Sequence, residues 1–305
     1  MTVENNNPSS ESPSPSAAAQ SATASSVVPQ EEARIPVPVR TATKKRKRNS
    51  PRRSLLGLAG VLTFFLIWEI TPRIGLLPAK YLPPASEVLA VFIQDLGMAS
   101  FWKSVGDTML AWGIGLSVAI IAATAIGLVV GMSPFLRKFT NSTVEFLRPI
   151  PSVALIPIAV LLFGVKIESS LMLIIYASFW QVLIQTLYGV ADVDNVAMNT
   201  AKSYGFSYFQ RLRDVVFPTV WPFLMTGIRL AAAVALILAI TAQLVIGSPG
   251  LGNEISRAQS GGAIAGMYAL ILATGLLGVL INLVMRYIEK KTLGWHPSVR
   301  GEVVV

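Results

Sequence analysis

Few side chains in this sequence could do chemistry, and those few are scattered through apolar surroundings. Arg229 is the one strongly charged residue well inside a membrane-length apolar run. An arginine there costs roughly 2.5–3.5 kcal/mol on insertion scales, so it marks either a functional group or a side chain snorkelling to the inner interface. Gln243, with Thr241 close by, stands near the far end of the same run. Gln181 and Gln185 share a face, one turn apart, in the run before it, and Thr274 and Asn282 stand in the last run. These groups could line the path of a polar solute, or they could hydrogen-bond from helix to helix, which is their commoner use. Glu69 is expected at the outer mouth. None of them forms a carboxylate dyad, a nucleophile–base pair or a metal-ligand cluster. The chain has no Cys, and its single His, His296, lies in a polar C-terminal tail. Thiolate chemistry and zinc hydrolysis are therefore excluded, and neither a metal nor a cofactor is expected. No Gly-x-x-x-x-Gly-Lys-Ser/Thr phosphate loop occurs, so ATP cannot be hydrolysed here by that route.

The elements that must position these residues are membrane spans. Of 305 residues, 53% are hydrophobic and 13% charged, with a mean hydropathy of +0.60. A soluble domain carries roughly 25% charge, so the composition is that of an integral membrane protein. Residues 1–53 form a tail whose first part is rich in Ser, Ala, Pro, Asn and Glu and is expected to be disordered. It ends in Lys44, Lys45, Arg46, Lys47, Arg48, Arg52 and Arg53. Directly before an apolar run this cluster reads as a cytosolic topology anchor and not as a nucleic-acid patch. The run begins past residue 50 with no small-x-small cleavage site after it, which makes it a signal anchor and not a secretory signal. Six spans can be laid down: Ser54–Thr71, Thr108–Gly131, Val144–Gly164, Ile167–Val190, Phe223–Ile246 and Ala263–Ile288. The third opens with Arg148-Pro149-Ile150-Pro151 and contains Pro157, so a broken or kinked helix inside the bundle is expected. The permease domain thus covers 54–290, followed by a short tail, 291–305.

Charge sets the orientation. With the N-terminus inside, nineteen Lys and Arg fall on the cytosolic side, five outside, and Arg229 within a span. The positive-inside rule then puts both termini, and the segment Asp192–Trp221, in the cytosol of a multi-pass cell-membrane protein. Two ladders of small residues recur every four positions: Gly115, Ala119, Ala123, Gly127 and Gly131 in the second span, and Gly227, Ala231, Ala235 and Ala239 in the fifth. They predict close helix–helix packing in lipid.

The interval from Asn199 to Arg229 is too patterned to be a connector. Val193, Val196, Ala197, Thr200 and Ala201 form one face of a short helix ending at Tyr204. Gly205 can take the left-handed, helix-ending conformation, and Ser207 with Gln210 has the spacing of a capping box that opens a second helix. Phe209, Leu212, Val215 and Val216 give that helix an apolar stripe, and Pro218 and Pro222 are expected to stop it before the next span.

Ala201, three residues, Gly205, then nine residues to Val215, with Phe217 and Pro218, resembles the "EAA" loop of ABC-importer permease subunits. Asn199 and Thr200 stand where that family has Glu and Ala, so the usual acidic contact with the ATPase is absent. Leu82-Pro83-Pro84-Ala85-Ser86, Leu147-Arg148-Pro149-Ile150-Pro151-Ser152 and Ser248-Pro249-Gly250-Leu251-Gly252 are similar to patches of the nitrate/sulfonate/taurine subgroup. The resemblance implies an all-α type I permease bundle of six transmembrane helices with a cytosolic coupling helix, spanning about 191–222. It further implies a homodimer, two copies of a separate ATP-binding subunit docked at Asn199, Ala201, Gly205, Phe206 and Pro218, and an external solute-binding protein. Its solute would be a sulfonate, taurine, nitrate or another small anion. An aromatic carboxylate or a thiamine-precursor pyrimidine is the alternative within the type. Arg229, Gln243, Gln181, Gln185 and Asn282 are its candidate path or gate residues. A secondary transporter would show inverted repeats and intramembrane ionisable groups, of which there is one Arg. A membrane enzyme would need the reactive groups whose absence is noted above. Membrane lipid is an expected partner and nucleic acid is not.

Overall fold

A computed structural model describes residues 51–294, and every regular element among them is helical. Residues 1–50 and 295–305 lie outside the described residues, and with them most of the N-terminal tail, most of the C-terminal tail, and His296.

In chain order the helices are α1 (Pro51–Arg73), α2 (Ala85–Leu96), α3 (Ala99–Met132), α4 (Pro134–Leu147), α5 (Ile156–Phe163), α6 (Ile167–Ala191), α7 (Asn195–Ser203), α8 (Tyr208–Arg211), α9 (Phe217–Ile246), α10 (Leu251–Ser260) and α11 (Ile264–Thr292). Among the described residues, four helices are long and apolar enough to cross a membrane, five if the bent pair α4–α5 counts as one. α1, the site of the expected first span, is not among those four.

α6 is the centre of the bundle, held between α3 and α9. The small-residue ladders explain why. A Cβ built on Gly115 would lie 2.6 Å from Ile174 Cγ2, on Gly127 2.8 Å from Thr186, and on Gly131 2.9 Å from Val190. On the other side of α6, a Cβ on Gly227 would meet Gln185 at 3.0 Å, and one on Gly189 would meet the Val220 backbone at the same distance. Ala119, Ala123, Ala231, Ala235 and Ala239 are completely buried between them. Lipid gives no hydrophobic drive for helices to associate, so backbone proximity of this kind supplies the dispersion contacts that hold the bundle.

Two boundaries differ from the sequence expectation. The third span is broken at its prolines, as expected, but its helical part does not begin at 144. α4 begins ten residues earlier, at Pro134, and the segment Ser152–Phe163 leaves it at 82°. The break falls at Arg148-Pro149-Ile150-Pro151, where two prolines remove backbone donors. The segment packs on the bundle with one side only: Ala159 is buried in the core and Leu155, Ile156 and Val160 pack against it, whereas Ile158, Leu161 and Leu162 are exposed and α4 buries no side chain. Second, Pro218 and Pro222 do not stop the helix. Tyr208 to Ile246 runs as one helical segment of 39 residues. Between α8 and α9 the turn Leu212–Val216 is widened, and Phe217 N–H reaches back five residues to Leu212 O. Pro218 follows directly on this register shift, and the widened turn lets the helix continue past a residue that has no N–H.

The end of the bundle opposite α7–α8 is tied by polar contacts. Trp68 Nε1 donates to Pro83 O at 3.1 Å, and Ser86 donates to the Glu69 carboxylate through its backbone N–H and its hydroxyl, both at 2.9 Å. Tyr268 hydroxyl donates to Tyr81 O at 3.1 Å. The Tyr81–Ser86 segment is thereby fixed to α1 and α11.

Candidate coupling surface and polar sites

The segment from α7 to α8 is an elbow whose bonds are all specified locally. Asp194 caps α7 by accepting from Val196 N–H at 2.9 Å and Ala197 N–H at 3.4 Å. At its other end Gly205 N–H donates to Lys202 O and Phe206 N–H to Ala201 O, each at 3.0 Å, which is a Schellman closure. That closure requires the left-handed conformation at the third of these residues, and Gly205 has φ +76°. The next helix starts at once: Gln210 N–H donates to Ser207 Oγ at 3.3 Å and Ser207 N–H to Gln210 Oε1 at 2.7 Å. Both halves of the capping box are therefore made.

The elbow faces outward. Ala201 is buried, whereas Asn199 is exposed and Val196, Tyr204 and Phe209 are 72%, 79% and 70% exposed. Phe206 and Tyr208 extend the same apolar surface. Four aromatic rings and a valine exposed on a closed turn are apolar surface of the kind that another protein covers. Behind the elbow is a cavity of about 390 Å³ bordered by Met132, Val193, Met198, Tyr208 and Arg211. Tyr208 hydroxyl donates to Met132 Sδ at 3.5 Å, and the Arg211 guanidinium lies 5.9 Å from the Tyr208 ring centroid. The first of these contacts ties the elbow to the end of α3.

The polar candidates divide into separate sites. Arg229 Nη1 donates to Glu289 Oε2 at 3.2 Å, linking α9 to α11, and both side chains are partly exposed. Arg229 and Asn282 border one cavity of about 210 Å³ with Leu236, Ile281 and Met285. Gln181 and Gln185 are half-buried on α6 and lie against Gly227 of α9, the first through its backbone oxygen and the second through its side chain. Gln243 belongs to a third group, at the far end of α9. It is completely buried, and its Oε1 accepts from Thr108 hydroxyl at 2.9 Å and from Gly252 N–H at 3.2 Å. Thr108 Oγ1 in turn accepts from Leu251 N–H at 2.9 Å. The Ser248–Gly252 loop folds over this amide so closely that a Cβ on Gly250 would lie 2.4 Å from it, and one on Gly252 would lie 2.2 Å from Ile240 O. Thr274 hydroxyl donates within its own helix to Ile271 O at 2.7 Å. Among the described residues no cluster of His, Cys, Asp or Glu could hold a metal ion.

Sequence reasoning missed Glu289 and Thr108. Glu289 carries a usable signal, an acidic residue beside Lys290 and Lys291 at the end of an apolar run. Thr108 carries none, because its partner is 135 residues away.

Close-packed apolar helices, a bent pair, and an elbow with an uncovered aromatic face are those of a multi-pass helical membrane component. The chain belongs to the family of binding-protein-dependent transport system inner membrane components, whose pattern matches residues 115–294. The taurine transport system permease protein TauC of Escherichia coli is 26% identical over 254 residues, covering 82% of this chain and 92% of that protein. A putative aliphatic sulfonates transport permease protein, SsuC of Bacillus subtilis, is 25% identical, covering 83% and 94%. The bicarbonate transport system permease protein CmpB of Synechococcus elongatus is 28% identical, covering 77% and 88%. In fold, the chain is similar to an inward-facing structure of the MetNI methionine ABC transporter, with a TM-score of 0.56 and 15% identity over 64% of this chain and 96% of that one. A bacterial ABC transporter that imports alginate gives 0.54 and 16%, covering 79% and 96%.

Proposed function

We propose that this chain is the membrane-spanning subunit of an ATP-driven, binding-protein-dependent importer of a small anion. The observation that carries the reading is the elbow, a Schellman-closed, capping-boxed turn with an exposed aromatic face, continuous through one helix with the core of the bundle. A separate ATP-binding subunit would grip Asn199, Ala201, Gly205 and Phe206, and Pro218 would pass the displacement into α9. Two such subunits would serve a homodimer of this chain, and an external solute-binding protein would deliver the solute to the opposite end. Relatives named for taurine, aliphatic sulfonates and bicarbonate support a sulfonate or small oxyanion as the solute.

In this reading α1 is a sixth span with α4–α5 as the third, both termini are cytosolic, and the permease domain is 54–290 between two tails. Arg229 and Asn282, which share a cavity, are the residues assigned to the path or gate, with Gln181 and Gln185 on the helix beside them. Gln243 is assigned to hold the Ser248–Gly252 loop and, through it, the far mouth of the path.

The test is co-purification from mild detergent followed by reconstitution. An ATP-binding subunit recovered with the chain, and ATP-dependent uptake of taurine, an alkanesulfonate, nitrate or bicarbonate into proteoliposomes supplied with the solute-binding protein, is the expected result. Solute flux that runs without ATP and without any co-purifying subunit would overturn it.

A further inference from the structure

The largest cavity among those described adjoins the one behind the elbow, sharing Arg137 and Ala191 with it, and lies apart from the Arg229–Asn282 site. It has a volume of about 670 Å³ and lies between α4, the last turns of α6 and the end of α3. Its apolar wall includes Val130, Ile184 and Leu187, and its charged rim is Arg137, Glu145 and Arg148. Arg137 is held in place by donating from Nη2 to Gly131 O at 3.0 Å. Arg148 is exposed, with no side-chain partner among the described residues.

The helix that forms one wall has two opposed faces. Residues 137, 141, 144 and 148 follow helical spacing on the cavity side. Phe135, Phe139 and Phe146 fall on the opposite side at the same spacing, all about three-quarters exposed, with the first two rings stacked at 6.2 Å. α4 thus carries an uncovered phenylalanine stripe on one face and cationic groups on the other, and the next apolar segment leaves it at 82°. Two guanidinium groups against one carboxylate leave the rim with one net positive charge.

We propose that this cavity binds one glycerophospholipid of the cytosolic leaflet bearing a single net negative charge. The phosphodiester sits at Arg148 and Arg137, and an acyl chain lies along Val130 and Leu187. Basic pockets between spans on the cytosolic side are suited to such headgroups. The proposal rests on the orientation adopted above. Its test is a binding measurement and is separable from transport.

The full chain, purified with its partners, is delipidated in detergent, titrated with phosphatidylglycerol and read by native mass spectrometry. Wild type is expected to hold one phosphatidylglycerol per chain and to bind phosphatidylcholine at least tenfold more weakly. Arg148→Gln should lose about tenfold in retention and Arg148→Lys should recover part of it. Asn141→Arg, which adds a cation to the same rim, should strengthen retention, a gain that misfolding cannot imitate. Equal retention by Arg148→Gln and wild type would overturn the proposal. So would displacement of the lipid by millimolar inorganic phosphate or taurine, because the cavity would then be a site for small free anions. Loss of lipid binding with ATP-dependent uptake intact would sink this inference alone and leave the transport reading standing.

Discussion

Replacing Gly205 isolates the backbone requirement of the elbow from every other effect. Its φ is +76°, and a Cβ built there meets no atom within 4 Å, so any penalty within the chain arises from conformation and not from a clash. An L-residue held in the left-handed region is destabilised by roughly 1–2 kcal/mol, with β-branched residues worst and Asn most tolerant. That range is about a 5- to 30-fold loss in the fraction of chains that hold the closed turn. ATP-coupled uptake in proteoliposomes should therefore fall in the order Gly, Asn, Ala, Val, with Gly205→Val reduced at least about tenfold. Membrane insertion and the melting temperature of the solubilised bundle should stay within error, because the elbow packs little of the core. Size offers the competing explanation, namely a steric clash with a docked subunit, and it would rank Asn beside Val and well below Ala. That ranking, or wild-type uptake by Gly205→Val, would refute the reasoning.

Thr108→Val leaves Leu251 N–H without its hydroxyl acceptor and should lower bundle stability by about 1–3 kcal/mol, seen as a drop in melting temperature that Thr108→Ser does not show. Gly127→Val pushes a Cβ to 2.8 Å from Thr186 and should cost about 1–3 kcal/mol, while Gly113→Val, with open space around it, should melt like wild type. Ser207→Ala removes half of the capping box and should weaken the second helix of the elbow by about 1 kcal/mol, read as faster hydrogen exchange across 208–212. Arg229→Gln and Glu289→Gln should be non-additive in a double-mutant cycle on uptake. The coupling should be about 1 kcal/mol or less, given the exposure of the pair, and strict additivity would mean that the ion pair does no work in transport.

The elbow was the most legible part of the chain because every bond that closes it is local. Gly205, Ser207 and Gln210 each act within five residues, and residue type alone announces them. The glycine and alanine ladders were legible for a related reason: a four-residue period fixes a face, and a small face in lipid has one main use. What failed to show was set by distance or by context. The proline rule that predicted a stop at Pro218 did not foresee a widened turn just before it, which lets the helix continue past a residue that has no N–H. The length of α4 was hidden because its polar face interrupts the apolar run that hydropathy follows. The role of Gln243 depended on Thr108 and Gly252, which reach it only once α3, α9 and the loop after it have come together.

The uninterrupted helix from Tyr208 to Ile246 has a thermodynamic consequence. At 1.5 Å per residue it is roughly 60 Å long, with the aromatic elbow at one end and the Gln243-centred loop at the other. If its two ends take alternative positions together, reciprocity follows. Any ligand at the loop end that favours one position by a given factor must raise by the same factor the affinity of whatever holds the elbow in that position. Each tenfold preference at one end corresponds to about 1.4 kcal/mol available at the other. Affinity for the elbow's partner, measured with and without solute on the opposite side, therefore becomes an equilibrium gauge of how far the two faces of the membrane are in communication, with no turnover required.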